Sequence, residues 1–334
     1  MRIIHGTIEI ANQMFTMVQG LRRIGLDART INYYPSYLQY ESDEVINIKA
    51  FRDANLANKA LKELASRIIP AYDVFHYHFG TSLLLDYSDL PLLKEQNKKV
   101  LMHHWGSDVR RYSLAVRLNP YVKVKSMNEN TIRNRLDRLS KYIETCVVCD
   151  EELYEYVKEY YRKVVVFPQV IDIQQYSAEN NHQNGRLTIV HAPTSPGIKG
   201  TGYILKAVEE LGKEHDFEFR LVKGMSHEEA RKIYLNADIV IDQLLIGSYG
   251  LVSIENMALG KPVVCWISEF MKGKYPRELP IISANPDNIK EVIAYLLSNR
   301  DSLHEIGLKS RAYAEKYHDI NKFSHKLLEL YQSL

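Results

Sequence analysis

The sequence is poor in several features that would define a class of protein. No stretch of its 334 residues is apolar over the roughly 20 positions that span a bilayer, and residues 1–6 do not begin a secretory signal. The formal net charge is only +2, which by itself is too small to indicate a nucleic-acid partner. These absences predict a cytoplasmic protein that does not bind nucleic acid.

Cysteine is also scarce, with three residues in the chain. Cys146 and Cys149 have the spacing of half a zinc or redox site, but no second pair of cysteines at matching spacing exists. Cys265 lies in an apolar run, as the other two do. The pattern favours buried free thiols over a metal or redox site.

The sequence does contain a regular alternation of strand-like and helix-like segments. The strand-like segments are 2–5, 28–33, 74–78, 100–104 and 145–149 in the first half, and 187–191, 217–222, 239–241, 263–266 and 281–282 in the second. This alternation predicts an α/β fold with two Rossmann-like, doubly wound parallel-sheet domains. We assign residues 1–172 to an N-terminal domain and 185–315 to a C-terminal domain, with 179–185 as a linker or exposed turn. The last helix, within 316–334, is predicted to pack back toward the N-terminal domain.

The most informative stretch covers residues 248–264. It follows the apolar run 237–241, and its apolar positions Leu251, Ile254 and Met257 recur at helical spacing after Gly250. A helix that begins after a glycine loop presents unpaired N–H groups and the positive end of its dipole, which favours a phosphate. Glu255 lies in the second turn, where its carboxylate is suited to accept hydrogen bonds from two adjacent hydroxyls such as those of a ribose.

This stretch resembles the nucleotide-binding segment of retaining glycosyltransferases of family 4, whose glycosyltransferase-B fold has two domains facing a central cleft. The residues that match are Tyr249, Gly250, Leu251, Val252, Glu255, Met257, Ala258, Gly260, Pro262, Val263 and Val264. The resemblance implies that residues 247–251 bind the donor and that Glu255 holds its ribose. Gly247 stands where the family has a glutamate that contacts the transferred sugar, and Ser248 replaces a glycine.

A second loop carries a candidate catalytic lysine. Lys199 and Gly200 match a Lys-Gly pair of the family, in which the lysine neutralises the leaving diphosphate. A lysine on a glycine-flanked loop at a helix start is well placed for this role. The arginine that the family places upstream is replaced by Thr194 or Ser195.

In the first half, residues 103–110 resemble the family segment that faces the transferred sugar. His104 is the preferred catalytic candidate and His103 the reserve, because a histidine can donate a hydrogen bond to a sugar hydroxyl or steady charge on the diphosphate. Asp108 is expected to act as a polar clamp or a helix cap. On the acceptor or sugar side we also place Gly6, after the first strand, and His78, at the end of the third; a structural role for His78 is equally compatible with the sequence.

One segment has a strong local charge bias. Between Arg110 and Lys141 there are nine basic residues and two acidic ones. Together with interleaved apolar residues, this composition suits a surface that meets anionic lipid or an acidic acceptor. A solvated helical face balanced by nearby acids is the alternative.

The resemblance implies transfer of a sugar, with retention, from a nucleotide-diphosphate sugar such as a UDP or GDP sugar to a hydroxyl of a glycan, glycolipid or other acceptor. It implies no cofactor and no bound metal, in keeping with the lack of an Asp-x-Asp motif. Synthesis of a cell-surface polysaccharide or glycolipid, at the inner membrane face, is the expected setting. Two alternatives stay open: a weakly active or inactive subunit that binds a glycan or a partner enzyme, and a nucleotide-sugar epimerase.

Overall fold

The computed structural model describes residues 1–177 and 185–334, so most of the predicted linker lies outside the described residues. These residues form two compact units. The first contains Met1–Arg111, Asn128–Val170 and Ile320–Leu334, and the second contains Tyr112–Met127 and Ile171–Asp319. The segment Tyr112–Met127, which was predicted to belong to the N-terminal domain 1–172, therefore groups with the second unit.

The strands, in chain order, are β1 (Arg2–Thr7), β2 (Asp27–Asn32), β3 (Glu44–Val45), β4 (Val74–His78), β5 (Lys99–His104), β6 (Thr145–Val148), β7 (Lys163–Val166), β8 (Leu187–His191), β9 (Phe217–Leu221), β10 (Ile239–Ile241) and β11 (Val263–Val264). The helices are α1 (Gln13–Arg23), α2 (Ala54–Ala71), α3 (Asp89–Glu95), α4 (Tyr112–Leu118), α5 (Glu129–Ser140), α6 (Glu151–Val157), α7 (Pro196–Lys199), α8 (Thr201–Leu211), α9 (His227–Leu235), α10 (Leu251–Ala258), α11 (Ile289–Ser298), α12 (Asp301–Tyr317) and α13 (Ile320–Gln332).

The first unit is built on a parallel sheet with strand order β3-β2-β1-β4-β5-β6-β7. This is the doubly wound order, in which the chain reverses direction across the sheet after β3. The strands β1, β4, β5 and β6 are almost entirely buried, as a parallel sheet covered on both faces requires.

The C-terminal helix α13 belongs to the first unit and packs on α1. The two helices approach closely at Gly20, where an added Cβ would lie 2.4 Å from side-chain atoms of both Ile320 and Ser324. The buried face of α13 contributes Leu327 and Tyr331 to the core under this sheet. The close contact between α1 and α13 therefore requires glycine at position 20.

The second unit has a parallel sheet of order β11-β10-β8-β9. The predicted α/β fold with two parallel sheets is confirmed. The strand predicted at 281–282 was wrong, because only a single bridge joins Val264 to Ile282. The short strands β3 and β7 were not predicted. Within the described residues, no helix has both the length and the hydropathy to cross a membrane.

Candidate functional site

Three loops of the second unit meet at the carboxyl edge of its sheet. Strands β10, β8 and β9 are neighbours, so the loops that follow them are neighbours as well. Lys199 follows β8, His227 follows β9, and Asp242 follows β10 directly and precedes α10 with its Glu255. This arrangement brings several predicted and unpredicted side chains together.

Lys199 is held beside the start of α10. Its Nζ lies 2.5 Å from Asp242 Oδ1, and its carbonyl oxygen accepts a hydrogen bond of 3.0 Å from the N–H of Leu244. An added Cβ at Gly250 would be 3.8 Å from the same Nζ. The structure thus brings Lys199 and Gly250 into proximity, as their positions after neighbouring strands predicted.

Asp242 is an anion at the N-terminus of α10 that the sequence analysis missed. Its Oδ2 accepts hydrogen bonds from the N–H of Gly250 at 3.2 Å and from Ser253 Oγ at 2.7 Å. Burial opposes ionisation, but the charge and hydrogen bond of Lys199 outweigh it and hold the pKa of Asp242 below its usual value. The amide of Gly250 is therefore already engaged, while the first-turn amides of Leu251 and Val252 have no partner within the helix.

Glu255 is buried, yet only one of its oxygens is engaged. Oε1 accepts hydrogen bonds from Tyr176 Oη at 2.8 Å and from His227 Nε2 at 2.5 Å. Burial alone would lower the pKa of His227, but the hydrogen bond and charge of Glu255 prevail and raise it. Oε2 accepts no hydrogen bond from the described residues, so it is available to a hydroxyl group of a ligand.

Two other residues of the predicted donor segment have structural contacts. The carbonyl oxygen of Ser248 accepts a short hydrogen bond from Gln243 Nε2, and Ser248 is buried. The hydroxyl of Tyr249 lies 3.1 Å from His318 Nε2, and its ring packs against Tyr275. These contacts position the loop around Gly250.

Gly247 occupies a position that has no room for a side chain. Its φ is +86°, and an added Cβ would lie 2.7 Å from Ser268 Cβ and 2.9 Å from Asn119 Nδ2. Asn119 itself is buried: Nδ2 donates to the carbonyl oxygen of Leu245 at 3.0 Å, and Oδ1 accepts from Trp266 Nε1 at 3.3 Å. Asn119, from the segment Tyr112–Met127, fills the space that a side chain at 247 would need.

This geometry predicts opposite tolerances at the two loop glycines. Gly247→Ala should lower the free energy of unfolding by about 1–3 kcal/mol, because it adds both backbone strain and overlap with Asn119 and Ser268. Gly250→Ala should change it by less than about 0.5 kcal/mol, because φ is −118° and the nearest atom is 3.6 Å from the new Cβ. Urea unfolding of the two variants checks this contrast, and equal losses would contradict it.

In the first unit, His104 has both ring nitrogens engaged. Nδ1 lies 2.7 Å from Asp108 Oδ2, and Nε2 lies 2.8 Å from Tyr161 Oη. Asp108 Oδ1 also accepts from the N–H groups of Trp105 and Gly106, so Asp108 closes its own turn and does not cap a helix. These contacts leave His104 no unengaged nitrogen to offer a ligand.

His103 differs from His104 in this respect. Its Nδ1 lies 3.3 Å from His76 Nε2, but its buried Nε2 has no partner among the described residues. His78 is fully buried and has partners at both nitrogens, His5 and Trp105. Of the three predicted histidines, His103 alone retains a ring nitrogen without a described partner.

Gly6 lies within β1, because the strand extends to Thr7. The loop that follows β1 contains an internal carboxyl group. Glu9 accepts hydrogen bonds from the N–H groups of Met14 at 3.1 Å and Phe15 at 3.0 Å, in the first turn of α1, and burial raises the pKa of this carboxyl group to about 8. The placement of Gly6 on the acceptor or sugar side stays a prediction.

Many cations of the basic segment have partners. Arg110 forms two hydrogen bonds with Glu152, of 2.9 and 2.6 Å, and both side chains are largely buried. Arg111 donates to the carbonyl oxygen of Tyr156, Arg135 to that of Asp108, and Arg138 lies over the ring of Tyr87. Of these residues, Arg110 is balanced by an acidic side chain, whereas Arg111, Arg135 and Arg138 are held by carbonyl oxygens or an aromatic ring.

Sequence reasoning missed Asp242, Tyr176, His227 and Asn119. Asp242 carried a usable signal, since a polar residue directly after a buried strand lies at the ligand-binding edge of a parallel sheet. Asn119 carried none, because it is more than a hundred residues from the loop that it supports.

Solved structures share this fold over the whole chain. Examples are the sucrose-phosphate synthase of Thermosynechococcus elongatus (12% identity, 100% of this chain and 99% of the other, TM-score 0.67) and the Anabaena protein HepE in complex with UDP-glucose (12%, 100% and 100%, 0.69). A trehalose-6-phosphate synthase studied for glycosyl transfer with retention is similar (11%, 100% and 99%, 0.64). No protein-family model and no curated protein sequence matches the chain. These likenesses show that the chain has the glycosyltransferase-B fold.

Proposed function

We propose that this protein transfers a sugar from a nucleotide-diphosphate sugar to an acceptor hydroxyl with retention of anomeric configuration, without a metal or cofactor. One observation carries the proposal: Lys199, which follows β8, lies beside the start of α10, and α10 also carries Glu255 with its unengaged Oε2. A cation, helix amides and a carboxylate in this order suit the diphosphate and ribose of a nucleotide.

In this proposal the enzyme positions its substrates and stabilises charge. The bond between the anomeric carbon and the diphosphate breaks while the acceptor oxygen bonds to the same carbon on the same face. The acceptor proton passes to a phosphate oxygen of the leaving group. Lys199 and the amides of Leu251 and Val252 stabilise the departing negative charge, and Glu255 Oε2 accepts a hydrogen bond from the ribose.

The neighbouring structures suggest the donor to test first. HepE was solved with UDP and with UDP-glucose, so a uracil nucleotide is the first choice and GDP and ADP are the alternatives. The acceptor is proposed to be a glycan or glycolipid in cell-surface synthesis. Contact with an anionic membrane between Arg110 and Lys141 stays a prediction. Exposed apolar residues of this segment include Tyr112, Val116 and Met127.

A non-catalytic subunit is the second candidate. It is favoured by Gly247, which offers no side chain to the sugar, and by Asp242, whose negative charge lies beside the proposed phosphate site. Such a protein would bind a nucleotide or a partner without turnover.

Thermal unfolding with nucleotides tests the donor site. A nucleotide present at 100 times its Kd should stabilise the protein by about 2.7 kcal/mol, which raises the melting temperature. We expect a rise with UDP or UDP-glucose, and its loss in Glu255→Gln. Glu209→Gln, which changes an exposed carboxylate on α8, is the matched control and should keep the rise. No stabilisation by any of the three nucleotides or their sugars at millimolar concentration would contradict the proposal.

Slow hydrolysis of the donor distinguishes the two candidates. Release of UDP from UDP-glucose, with the α-anomer of glucose appearing first in proton NMR spectra, is the result expected of a retaining transferase. Tight binding without any release of UDP, in the presence or absence of acceptors, would favour the non-catalytic subunit.

A further inference from the structure

Six buried side chains of the first unit form one continuous hydrogen-bonded chain. The links are Trp105 Nε1 to His78 Nδ1 (3.1 Å), His78 Nε2 to His5 Nδ1 (3.1 Å), His5 Nε2 to Tyr331 Oη (2.9 Å), Tyr331 Oη to His76 Nδ1 (2.8 Å) and His76 Nε2 to His103 Nδ1 (3.3 Å). The four imidazoles and Tyr331 are at most 1% exposed, and the rings of His103 and Trp105 stack with centroids 3.8 Å apart.

The chain has a direction because an indole N–H can only donate. Trp105 therefore makes His78 Nδ1 an acceptor, and a neutral imidazole that accepts at one nitrogen carries its proton on the other. His78 Nε2 then donates to His5 Nδ1, and His5 Nε2 donates to the oxygen of Tyr331. Trp105 thus sets the tautomers of both His78 and His5.

Tyr331 continues the same direction of hydrogen-bond donation. Since its oxygen accepts from His5, its hydroxyl proton is directed to His76 Nδ1, and His76 Nε2 donates to His103 Nδ1. His103 is left with its proton on Nε2, the one nitrogen of the four rings that has no partner among the described residues. Buried donors without an acceptor are rare in proteins and call for an explanation.

The hydrogen-bonded chain also accounts for a cluster of three histidines that resembles a metal site. His5, His76 and His78 have ligand atoms within 4.8 Å of one another. All six of their ring nitrogens already take part in the links above, three as donors and three as acceptors. Hydrogen bonding alone therefore explains why these three rings lie together.

We infer that Trp105 and Tyr331 lock His5, His76, His78 and His103 as neutral Nε2–H tautomers, which leaves His103 with an N–H donor at its buried Nε2. The lock rests only on the geometry of the first unit.

Nitrogen-15 NMR of the histidine rings in the full-length protein tests the lock directly, because two-bond couplings distinguish the tautomers. Near neutral pH we expect the rings of His5, His76, His78 and His103 to show the Nε2–H pattern. An Nδ1–H tautomer or an imidazolium at any of the four, or stoichiometric zinc in the purified protein, would overturn the lock without any variant being made.

Two variants test the direction of the chain. Tyr331→Phe should release His76 and His103 from the Nε2–H form and leave His78 unchanged, whereas Trp105→Phe should release His78 and His5. Tyr161→Phe is the matched control, since it removes the hydroxyl that contacts His104 and should leave all four rings as they were. Changes at His78 in Tyr331→Phe would contradict the inferred direction.

Discussion

Lys199→Met should lower the free energy of unfolding by about 3–5 kcal/mol, because removing one partner of a buried ion pair leaves the other charge uncompensated. The remaining group is the Asp242 carboxylate, which is 2% exposed and pairs with Lys199 at 2.5 Å. Adding Asp242→Asn should recover most of this loss, because the second substitution removes the unpaired charge. Urea unfolding of the single and double variants measures both steps.

The double variant separates the structural from the functional role of Lys199. Both Lys199→Met and Lys199→Met/Asp242→Asn should lose stabilisation by UDP, because the cation that contacts the diphosphate is missing in each. Lys206→Met, at an exposed position on α8, is the matched control and should retain stability and nucleotide binding. If the double variant regains both stability and nucleotide binding, Lys199 serves only to neutralise Asp242.

The fold could be predicted because its signals are local. Strand β10 is a continuous apolar run, and β1 and β4 are buried strands in which histidines interrupt the apolar residues; the alternation of such strands with helices specifies a parallel doubly wound sheet. Strand β3, with two residues, lacks such a run and was missed. The expected strand at 281–282 has the apolar residues but makes only one bridge, a distinction that depends on tertiary pairing.

Only the part of the site that depends on which strands are neighbours could be predicted. Lys199 and Gly250 follow neighbouring strands, so their proximity followed from the topology. The choice between His104 and His103 did not, because it depends on which ring nitrogens find partners in Asp108, Tyr161 and His76. Periodicity indicates that both histidines lie on one strand but carries no information about these side-chain contacts.

Acid should destabilise the first unit unusually steeply. Burial lowers the pKa of His5 to about 3, and lowers the pKa of His76, His78 and His103 well below the usual value. Neighbouring rings add to this effect, since His76, His104 and His5 all lower the pKa of His103. The folded unit therefore keeps these rings neutral at a pH where the unfolded chain binds protons.

The sign of the pH dependence follows from this difference. Above about pH 6.5, the value for an unfolded histidine, neither state is protonated, and the stability is fully present. As the pH falls below that value, the unfolded chain gains protons that the folded unit does not. Each histidine then lowers the free energy of unfolding by about 1.4 kcal/mol per pH unit, so the four together approach about 5 kcal/mol per pH unit.

The two tryptophans of the chain lie in different units, so the pH dependence of unfolding can be followed in the first unit by fluorescence. Trp105 belongs to the first unit and Trp266 to the second, where His227 has a raised pKa and titrates with the opposite sign. In Trp266→Phe protein, urea unfolding monitored by Trp105 fluorescence should show the loss of stability between about pH 6.5 and 5.

Removing one histidine of the hydrogen-bonded chain tests whether these rings cause the pH dependence of stability. His103→Gln should reduce the pH slope by about 1.4 kcal/mol per unit, because one fewer buried ring has to be protonated on unfolding. His325→Gln, at an exposed position on α13, is the matched control and should leave the slope unchanged. A slope that does not respond to His103→Gln would show that other groups cause the acid sensitivity.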